Sequence, residues 1–353
     1  MRLIGIRRAK SGDILGQSIF GKDGCLILKE GVALTEKYIS RLENMGVNTL
    51  YIMDPNLDDI KPQDPQFVAI KSDAVKSLSK VFSRLDYNDK AKVNSTLAAV
   101  REMVEYLIDN KEINFSYLLE LKTYDNYTYV HSLNTCVLAL FYGVQMDYSR
   151  NMLIDLGTGA LLHDIGKMKI PIEVLNKKGR LTDYEFKVIK QHPIDGYNML
   201  RDVGEINEIS KDVVLEHHEK VDGTGYPYGL KGDKISKYAK IACISDVYDA
   251  IVSDRVYRKG FAANEAYEFI LGGCETYFDT DLVQVFKDNF SLYPLGACVK
   301  LSNGLEGFVV EHTKGFPDRP KVRILYDENG TVMKPYEIEL INHVDIGIEK
   351  IIL

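Results

Sequence analysis

The stretch SRNMLIDLGTGALLHDIGK, residues 149–167, contains the pattern around which the rest of the chain can be read. We predict a helix over 149–165 with the pair His163-Asp164 at its end. Lys167 follows one helical turn after His163. A His-Asp pair alone carries little information, so its meaning depends on the residues around it.

The pair lies in a long region of helical texture. From about residue 66 to 291, apolar side chains recur at three- and four-residue spacing. Thr182 and Glu185 have the spacing of a capping box. Further helices are expected around 127–145, 182–201, 206–219, 235–254, 262–271 and 280–290. The region therefore predicts a mainly α protein with an all-helical core.

Two shorter regions flank the helical one. Residues 1–53 mix strand and helix signals, including a helix capped by Thr35 and stopped by Gly46, and predict a small α+β module. The three prolines within 54–66 are typical of a linker.

The C-terminal region is rich in short β runs separated by turn residues. Asn303-Gly304 and Asn329-Gly330 predict type I′ turns between strands. Together the composition shifts predict four segments: an α+β module over 1–53, a linker over 54–66, a helical domain over 67–293 with its motifs in 125–260, and a β-rich module over 294–353.

The composition excludes several classes of protein. Charged residues make up 27% and hydrophobic residues 45%, as in globular proteins, and the net charge of −7 argues against a DNA or RNA partner. No apolar run approaches the roughly 20 residues that span a bilayer. The five cysteines are scattered and form no C-x-x-C motif. We therefore expect a cytoplasmic protein with reduced thiols and no membrane span.

Five of the seven histidines fall in the helical region, and three of these, His163, His217 and His218, lie beside an acidic residue or another histidine. One helical histidine is more often a core or surface residue than a ligand, but several on separate helices predict a metal site. Imidazole and carboxylate groups are ligands of Fe, Mn or Zn, whereas the residue types exclude cysteine-rich zinc sites and all-oxygen calcium sites. The residues concerned are His131, His163, Asp164, His192, His217, His218 and Asp246.

The adjacent pairs His163-Asp164 and His217-His218 have a geometric consequence. Neighbouring helical residues project about 100° apart, so they cannot grip one ion from a single face. They can straddle two ions, with Asp164 as a bridge. Two ions roughly 3.5–4 Å apart activate a shared hydroxide and stabilise the oxygens of a phosphate ester. The residues thus predict a dinuclear hydrolase.

Cations and a glycine-rich loop accompany these positions. Lys167, Arg255 and Arg258 lie close in sequence to the predicted ligands and are interpreted as phosphate clamps, since a bidentate arginine matches phosphate oxygens. Residues 222–232, DGTGYPYGLKG, contain four glycines and a proline, which predicts a constrained loop beside the site.

The run from Asp125 to about Lys259 resembles the HD-GYP family, a branch of the HD phosphohydrolases. His163-Asp164 matches the HD pair, and Gly225-Tyr226-Pro227 matches the GYP signature. The supporting matches are Tyr127-Thr128 before His131, His192-Pro193 with Gly196, His217-His218-Glu219 with Asp222-Gly223, and Asp246 with Asp249-Ala250.

The resemblance implies an enzyme that hydrolyses the 3′,5′-phosphodiester bonds of cyclic di-GMP to pGpG or GMP, using iron or manganese, with zinc as an alternative. It implies catalytic roles for Asp164 and Lys167. Some family members bind a third ion through a glutamate four residues before the first histidine, where this chain has Tyr127, so two ions are expected. The implied metal ligands are His131, His163, Asp164, His192, His217, His218 and Asp246, and the implied substrate contacts are Lys167, Arg255, Arg258, Gly225, Tyr226 and Pro227.

Two other interpretations remain open at this point. The first is an HD hydrolase of another cyclic dinucleotide, which would have the same metal ligands. The second is a cyclic dinucleotide sensor or scaffold that binds protein partners through the loop Gly225–Gly232, and its mark would be a missing ligand. Glu219 and Asp249 are candidates for supporting the ligand histidines, and a surface or capping role for each is equally open.

Overall fold

The computed structural model describes residues 1–21, 25–62, 64–82, 90–111, 127–177, 179–253 and 261–353. α-Helices predominate among them, which confirms the mainly α prediction. The helices are α1 (Glu36–Asn44), α2 (Pro65–Phe82), α3 (Lys90–Asp109), α4 (Tyr127–Gln145), α5 (Arg150–Leu162), α6 (Ile172–Leu175), α7 (Asp183–Ile189), α8 (His192–Leu200), α9 (Glu208–Glu216), α10 (Lys237–Val252), α11 (Ala263–Gly272) and α12 (Thr280–Asn289). None of these helices is long and apolar enough to cross a membrane.

The strands lie at the two ends of the chain. They are β1 (Arg2–Gly5), β2 (Ile19–Phe20), β3 (Leu26–Leu28), β4 (Thr49–Ile52), β5 (Cys298–Leu301), β6 (Glu306–Thr313), β7 (Phe316–Tyr326), β8 (Val332–Glu339) and β9 (Ile348–Ile352). β1 pairs with β4 and β2 with β3, while the last five strands form one antiparallel sheet in the order β8-β7-β6-β5-β9.

The chain divides into two compact units by its internal contacts. One, the helical unit, contains Ala69–Ile113 and Asn126–Phe286; the other, the terminal unit, contains Met1–Val68 and Lys287–Leu353. Leu57 and Ile60, which fall in the predicted linker, are buried in the core of the five-stranded sheet. The predicted domain boundaries stay a prediction, because this division records packing and not independent folding.

The centre of the helical unit is built around α4 and α5. α4 is apolar on almost every side, with Leu133, Val137 and Leu140 fully buried, as expected of a helix in a protein interior. α5 lies against α9 at Gly159, where an added Cβ would be 2.6 Å from the Cβ of Val213. This close approach brings the C-terminal ends of α5 and α9 together, and each of them is followed directly by a histidine.

Two predicted helices end earlier than their periodicity indicates. The helix expected over 182–201 is divided into α7 and α8, because Pro193 has no N–H to continue the hydrogen-bond ladder and occupies the first turn of a new helix. The helix expected over 149–165 ends at Leu162, and a 3₁₀ turn over Ile165–Lys169 follows it. The capping box of Thr182 and Glu185 is confirmed.

The turns of the C-terminal sheet differ from the predicted type I′. Gly304 and Gly330 have φ angles of +88° and +79°, but neither preceding asparagine has a positive φ, which type I′ requires. The N–H of Gly304 instead donates to the carbonyl of Leu301 at 2.9 Å. The glycine alone occupies the left-handed region, as in three-residue hairpin loops. β9 was not predicted, since its pairing with β5 depends on a distant segment.

Candidate metal centre

The structure brings all seven predicted metal ligands together in the helical unit. His131 lies on α4, His163 and Asp164 follow α5, His192 begins α8, His217 and His218 follow α9, and Asp246 lies on α10. All are buried except His218, which is partly exposed. Their ligand atoms form two groups, each within 4.8 Å: His131, His163 and Asp164, and Asp164, His192, His217 and His218. Asp164 belongs to both groups.

Helix ends fix the orientation of three of these histidines. His163, His192 and His217 each place Nδ1 at 2.7–2.9 Å from the carbonyl oxygen three residues earlier, which belongs to Ala160, Ile189 and Val214 respectively. Carbonyls in the last turn of a helix lack a partner within the helix. Because a carbonyl only accepts, Nδ1 carries a proton, and Nε2 of the neutral ring then has the lone pair. Each ring therefore presents a ligand nitrogen to the cluster.

The cluster contains polar atoms that the protein alone leaves unsatisfied. Nε2 of His192 and Nε2 of His217 lie 3.2 Å apart, so two lone pairs face each other in a buried site. Nε2 of His163 and Oδ1 of Asp164 are buried and have no hydrogen-bond partner among the described residues. A cation between these atoms would relieve both problems. The donor set therefore fits the binding of divalent metal ions.

His131 is held between two carboxylates of α10. Its Nδ1 donates to Oδ2 of Asp249 at 2.7 Å, and its Nε2 lies 2.9 Å from Oδ1 of Asp246. Burial acts to lower the pKa of His131, but the hydrogen bonds to the two aspartates prevail and raise that pKa to about 10. Asn134, one turn after His131, donates to the other oxygen of Asp249 at 2.7 Å.

These contacts answer the question that the sequence left open for Asp249. Its carboxylate orients His131, a predicted ligand, and carboxylates often hold metal-binding histidines in this way. No sequence motif singles out Asn134. It lies three residues after His131, so both side chains are on one face of the helix, and this spacing is the sequence feature that could have indicated Asn134.

The electrostatics of the cluster keep four of its side chains, Asp164, Asp246, His217 and His218, in the protonation state that metals need. His131, by contrast, is held protonated between its two aspartates and would release that proton to a metal ion. Burial would raise the pKa values of Asp164 and Asp246, yet Lys167 beside the first and His131 beside the second hold both well below the usual range. Burial is also the main cause that lowers the pKa of His217 well below its usual value and that of His218 to about 3. Ionised carboxylates and neutral imidazoles are the metal-binding forms.

The glycine-rich loop closes one side of the cluster. The ring of Tyr226 stacks on His218 with centroids 4.6 Å apart, and the N–H of Tyr226 donates to the carbonyl of His218. A Cβ on Gly225 would lie 2.5 Å from Cα of Glu219, so only glycine fits there. The buried carboxylate of Glu219 accepts the N–H groups of Tyr228 and Leu230 at 2.7 and 2.9 Å. The described contacts of Glu219 therefore hold the glycine-rich loop, whereas the sequence suggested support of a ligand histidine as one role.

A second close backbone contact joins the HD segment to α8. A Cβ on Gly166 would lie 2.0 Å from the carbonyl oxygen of His192 and 2.5 Å from the N of Gly196. The two glycines therefore set the distance between Asp164 and His192. Both glycines belong to motifs in the sequence, but their close contact is apparent only in the fold.

Lys167 lies at the rim of the cluster, and its Nζ is 2.6 Å from Oδ2 of Asp164. Its side chain is partly exposed, so it can reach a bound ligand. Arg255 and Arg258 lie outside the described residues. So does the side chain of Tyr127, the first residue of α4.

Two models of known protein families match the chain. A family model for an HD domain matches residues 92–282, more than half of the chain. The chain belongs to the HD-domain family. This match confirms, at the level of the HD domain, the resemblance that the motifs indicate. A second model, for a KOW domain associated with HD domains, matches residues 298–352 of the HD-domain protein and covers the five-stranded sheet.

The HD-domain protein has curated relatives and a structural neighbour. It is 39% identical over 230 residues to a cyclic di-GMP phosphodiesterase of Pseudomonas aeruginosa, covering 65% of this chain and 54% of the relative. It is 31% identical over 168 residues to the 3′3′-cGAMP-specific phosphodiesterase 3 of Vibrio cholerae, covering 48% and 36%. The chain thus spans about half, or less, of the length of these relatives.

The structural neighbour is an HDG"Y"P protein from Bdellovibrio bacteriovorus. It aligns with a TM-score of 0.51 at 16% identity, over 80% of this chain and 96% of the other. At this identity the likeness concerns the fold alone.

Proposed function

We propose that the HD-domain protein hydrolyses the 3′,5′-phosphodiester bonds of cyclic di-GMP, to pGpG or GMP, with two divalent metal ions. The observation that carries this proposal is the double cluster of ligands that shares Asp164. The activity of the Pseudomonas aeruginosa relative supports the choice of substrate.

The two groups of ligands would each hold one ion. His131 and His163 would bind the first, while His192, His217 and His218 would bind the second, with Asp164 between them. Asp246 is 2.9 Å from His131 and 3.8 Å from His218, which places its two oxygens at both groups. Iron or manganese suits this set, with zinc as the alternative. Ions bound there would supply Lewis acidity and an activated water for attack on phosphorus.

The chain's own residues would bind and orient the ester. The ammonium of Lys167, held beside Asp164, would bind a phosphoryl oxygen and stabilise the charge that develops on it. Lys167 is also a proton source for the leaving 3′-oxygen. Arg255 and Arg258 would hold the phosphates, and the loop with Gly225, Tyr226 and Pro227 would border the substrate.

A double variant, His163→Ala with Asp164→Ala, tests this proposal. It removes one ligand from the first group and the residue shared by both, so we expect loss of both ions and of cyclic di-GMP hydrolysis. Metal content and products should be measured on the same anaerobic sample, supplied with Mn²⁺ or Fe²⁺, because air oxidises ferrous sites. His343→Gln, an exposed histidine of the terminal unit, is the control. Unchanged hydrolysis with intact metal content would refute the site.

The relative from Vibrio cholerae favours 3′3′-cGAMP as a second candidate substrate. Its hydrolysis would use the same ligands, so only turnover of cyclic di-GMP, 3′3′-cGAMP and cyclic di-AMP by one preparation distinguishes the candidates. A protein that binds a cyclic dinucleotide, holds two ions and turns nothing over would instead be a sensor. Protein partners at the loop Gly225–Gly232 and a cytoplasmic location stay predictions.

A further inference from the structure

We infer that Lys190 recognises a guanine base of the substrate, supported by the rings of Phe186 and Tyr226. We call these three residues the aromatic shelf. The inference deepens the proposed function and rests on it: it names the residue that distinguishes guanine from adenine at the same site.

The aromatic shelf borders the metal centre. Tyr226 stacks directly on the ligand His218, with ring centroids 4.6 Å apart. Lys190 caps the C-terminus of α7, two residues before the ligand His192. Its Nζ lies 5.2 Å from the centroid of the Tyr226 ring and 4.7 Å from that of Phe186. A ligand that reaches the metals past Tyr226 would therefore meet Lys190.

Lys190 differs from three other lysines of the helical unit. Lys167, Lys169 and Lys177 each lie within 4.0 Å of a carboxylate oxygen. Within the described part of the chain, the ammonium of Lys190 has two ring faces as its neighbours and no carboxylate at that distance. Ring faces attract a cation but accept none of its hydrogen bonds in the way a carboxylate does. Its N–H groups remain available to an acceptor on a ligand.

Phe186 offers the apolar surface that a nucleobase needs. Its ring is 47% exposed although it lies beside a polar site. Contact with an aromatic side chain stabilises a bound base whatever the identity of that base. The ring therefore accounts for binding of a base and not for selection between bases.

Selection follows from the chemistry of the ammonium. Guanine presents two acceptors, O6 and N7, on one edge, while adenine has an amino donor in place of O6. An ammonium only donates, so it matches the guanine edge and meets a like donor on adenine. Lys190 is thus placed to favour cyclic di-GMP over cyclic di-AMP.

Lys190→Met tests this inference because it keeps the length of the side chain and removes the donors. We expect kcat/KM for cyclic di-GMP to fall about tenfold, with a much smaller change for cyclic di-AMP, so that the preference for guanine is largely lost. Lys190→Arg should restore the preference. Phe186→Leu should raise KM for both nucleotides. Lys187→Met, an exposed lysine on the same helix, is the control.

Each outcome decides between the alternatives. If Lys190→Met lowers kcat/KM equally for cyclic di-GMP and cyclic di-AMP, Lys190 contacts a phosphate and not a base. If it changes neither value, Lys190 does not contact the substrate. Either result overturns base recognition. Affinities of the Mn²⁺-loaded protein for the two nucleotides test the inference apart from turnover. A wild-type protein that binds with a Lys190-dependent guanine preference but does not hydrolyse would refute the proposed function and retain this one. Absence of both binding and turnover would refute both.

Discussion

At the scale of single residues, the metal centre depends on hydrogen bonds behind the ligands. His131 has no helix-terminal carbonyl to fix its ring and uses Asp249 instead, which Asn134 in turn orients. A carboxylate in this position holds the imidazole in one tautomer and makes its free nitrogen a better donor to metal. The contribution of Asp249 is therefore to metal affinity and not to direct binding.

Asp249→Asn tests this role. The amide has one acceptor in place of two, so its NH₂ group must face either His131 or Asn134, both of which donate to this carboxylate. We expect Mn²⁺ affinity to fall about 10–100-fold, the usual effect of losing such a partner. Titration of metal-free protein measures it. Asp202→Asn, 82% exposed, is the control, and equal affinities for the two variants would contradict the role.

Residue chemistry explains why the clustering of the predicted ligands could be anticipated from the sequence and the contacts that support them could not. Several histidines and aspartates such as His163 and Asp164 on separate helices indicate a metal site, because few other functions require this combination of imidazole and carboxylate groups. Asn134 and Gly166 are common residue types whose meaning depends on what lies opposite them in the fold. Gly166 is needed because a carbonyl from α8 approaches it, and no local pattern indicates that contact.

At the scale of elements, the distance between the HD segment and α8 is set by backbone contact. Gly166→Ala would place a Cβ 2.0 Å from the carbonyl oxygen of His192, and backbone on both sides prevents relief. We expect a loss of about 1–3 kcal/mol of unfolding free energy or more, together with weaker Mn²⁺ binding, because Asp164 and His192 move apart.

Gly204 provides the matched control for that substitution. It lies in the exposed turn between α8 and α9, and an added Cβ there meets nothing within 4 Å. Gly204→Ala should therefore change the unfolding free energy by less than about 0.5 kcal/mol. Urea unfolding and Mn²⁺ titration of both variants give the comparison. Similar values for the two alanine variants would mean that the contact at Gly166 is not decisive.

The glycine-rich loop is a second element whose position has one main anchor. Glu219→Gln removes a charged acceptor from the N–H groups of Tyr228 and Leu230, and a buried unmet donor costs about 1–3 kcal/mol. We expect a higher KM for cyclic di-GMP, with metal content retained, because the loop and not a ligand is loosened. Glu268→Gln, on the exposed side of α11, is the control. A loss of metal in place of a raised KM would assign Glu219 to the cluster.

Local sequence signals located the elements better than their ends or partners. Caps such as Thr35 and Thr182 are local interactions, and both form as expected. The division between α7 and α8 follows from Pro193, which is also a local signal. The apolar spacing over 182–201 continues across this proline and therefore predicts one helix in place of two. β9 contacts β5 from about fifty residues away, and such pairing leaves no mark in a short window.

At the scale of the whole molecule, the histidines of the two units respond to acid for different reasons. In the helical unit, ligand histidines must be neutral to bind metal, so protonation competes with the ions. In the terminal unit, His312 is partly buried and belongs to no candidate ligand group among the described residues. The net charge of −7 does not reveal this difference between the histidines, because it depends on the number of charged residues and not on their burial or neighbours.

His312 should make the terminal unit sensitive to mild acid. Its Nε2–H donates to the carbonyl of Tyr293 at 2.7 Å, while its Nδ1 atom is buried and has no hydrogen-bond partner within the part of the chain that the structure describes. Burial lowers the pKa of His312 from 6.5 to about 4. The unfolded chain therefore takes up a proton at a higher pH than the folded one does. The stability due to neutral His312 is complete above pH 6.5 and is lost as the pH falls towards 4, by about 2 kcal/mol between pH 7.5 and 5.

His312→Gln separates this effect from the titration of the metal ligands. Glutamine keeps a donor for the carbonyl of Tyr293 and cannot be protonated, so the variant should lose less stability than the wild type between pH 7.5 and 5. Urea unfolding of metal-free protein, followed by hydrogen exchange of β6 and β7, reports on the terminal unit directly. His343→Gln, at an exposed position of the same unit, is the control and should retain the wild-type pH dependence, because it leaves the contact between His312 and Tyr293 intact. If His312→Gln shows the same slope as His343→Gln, the acid sensitivity of the sheet arises elsewhere and the buried imidazole is already protonated or solvated in the folded protein.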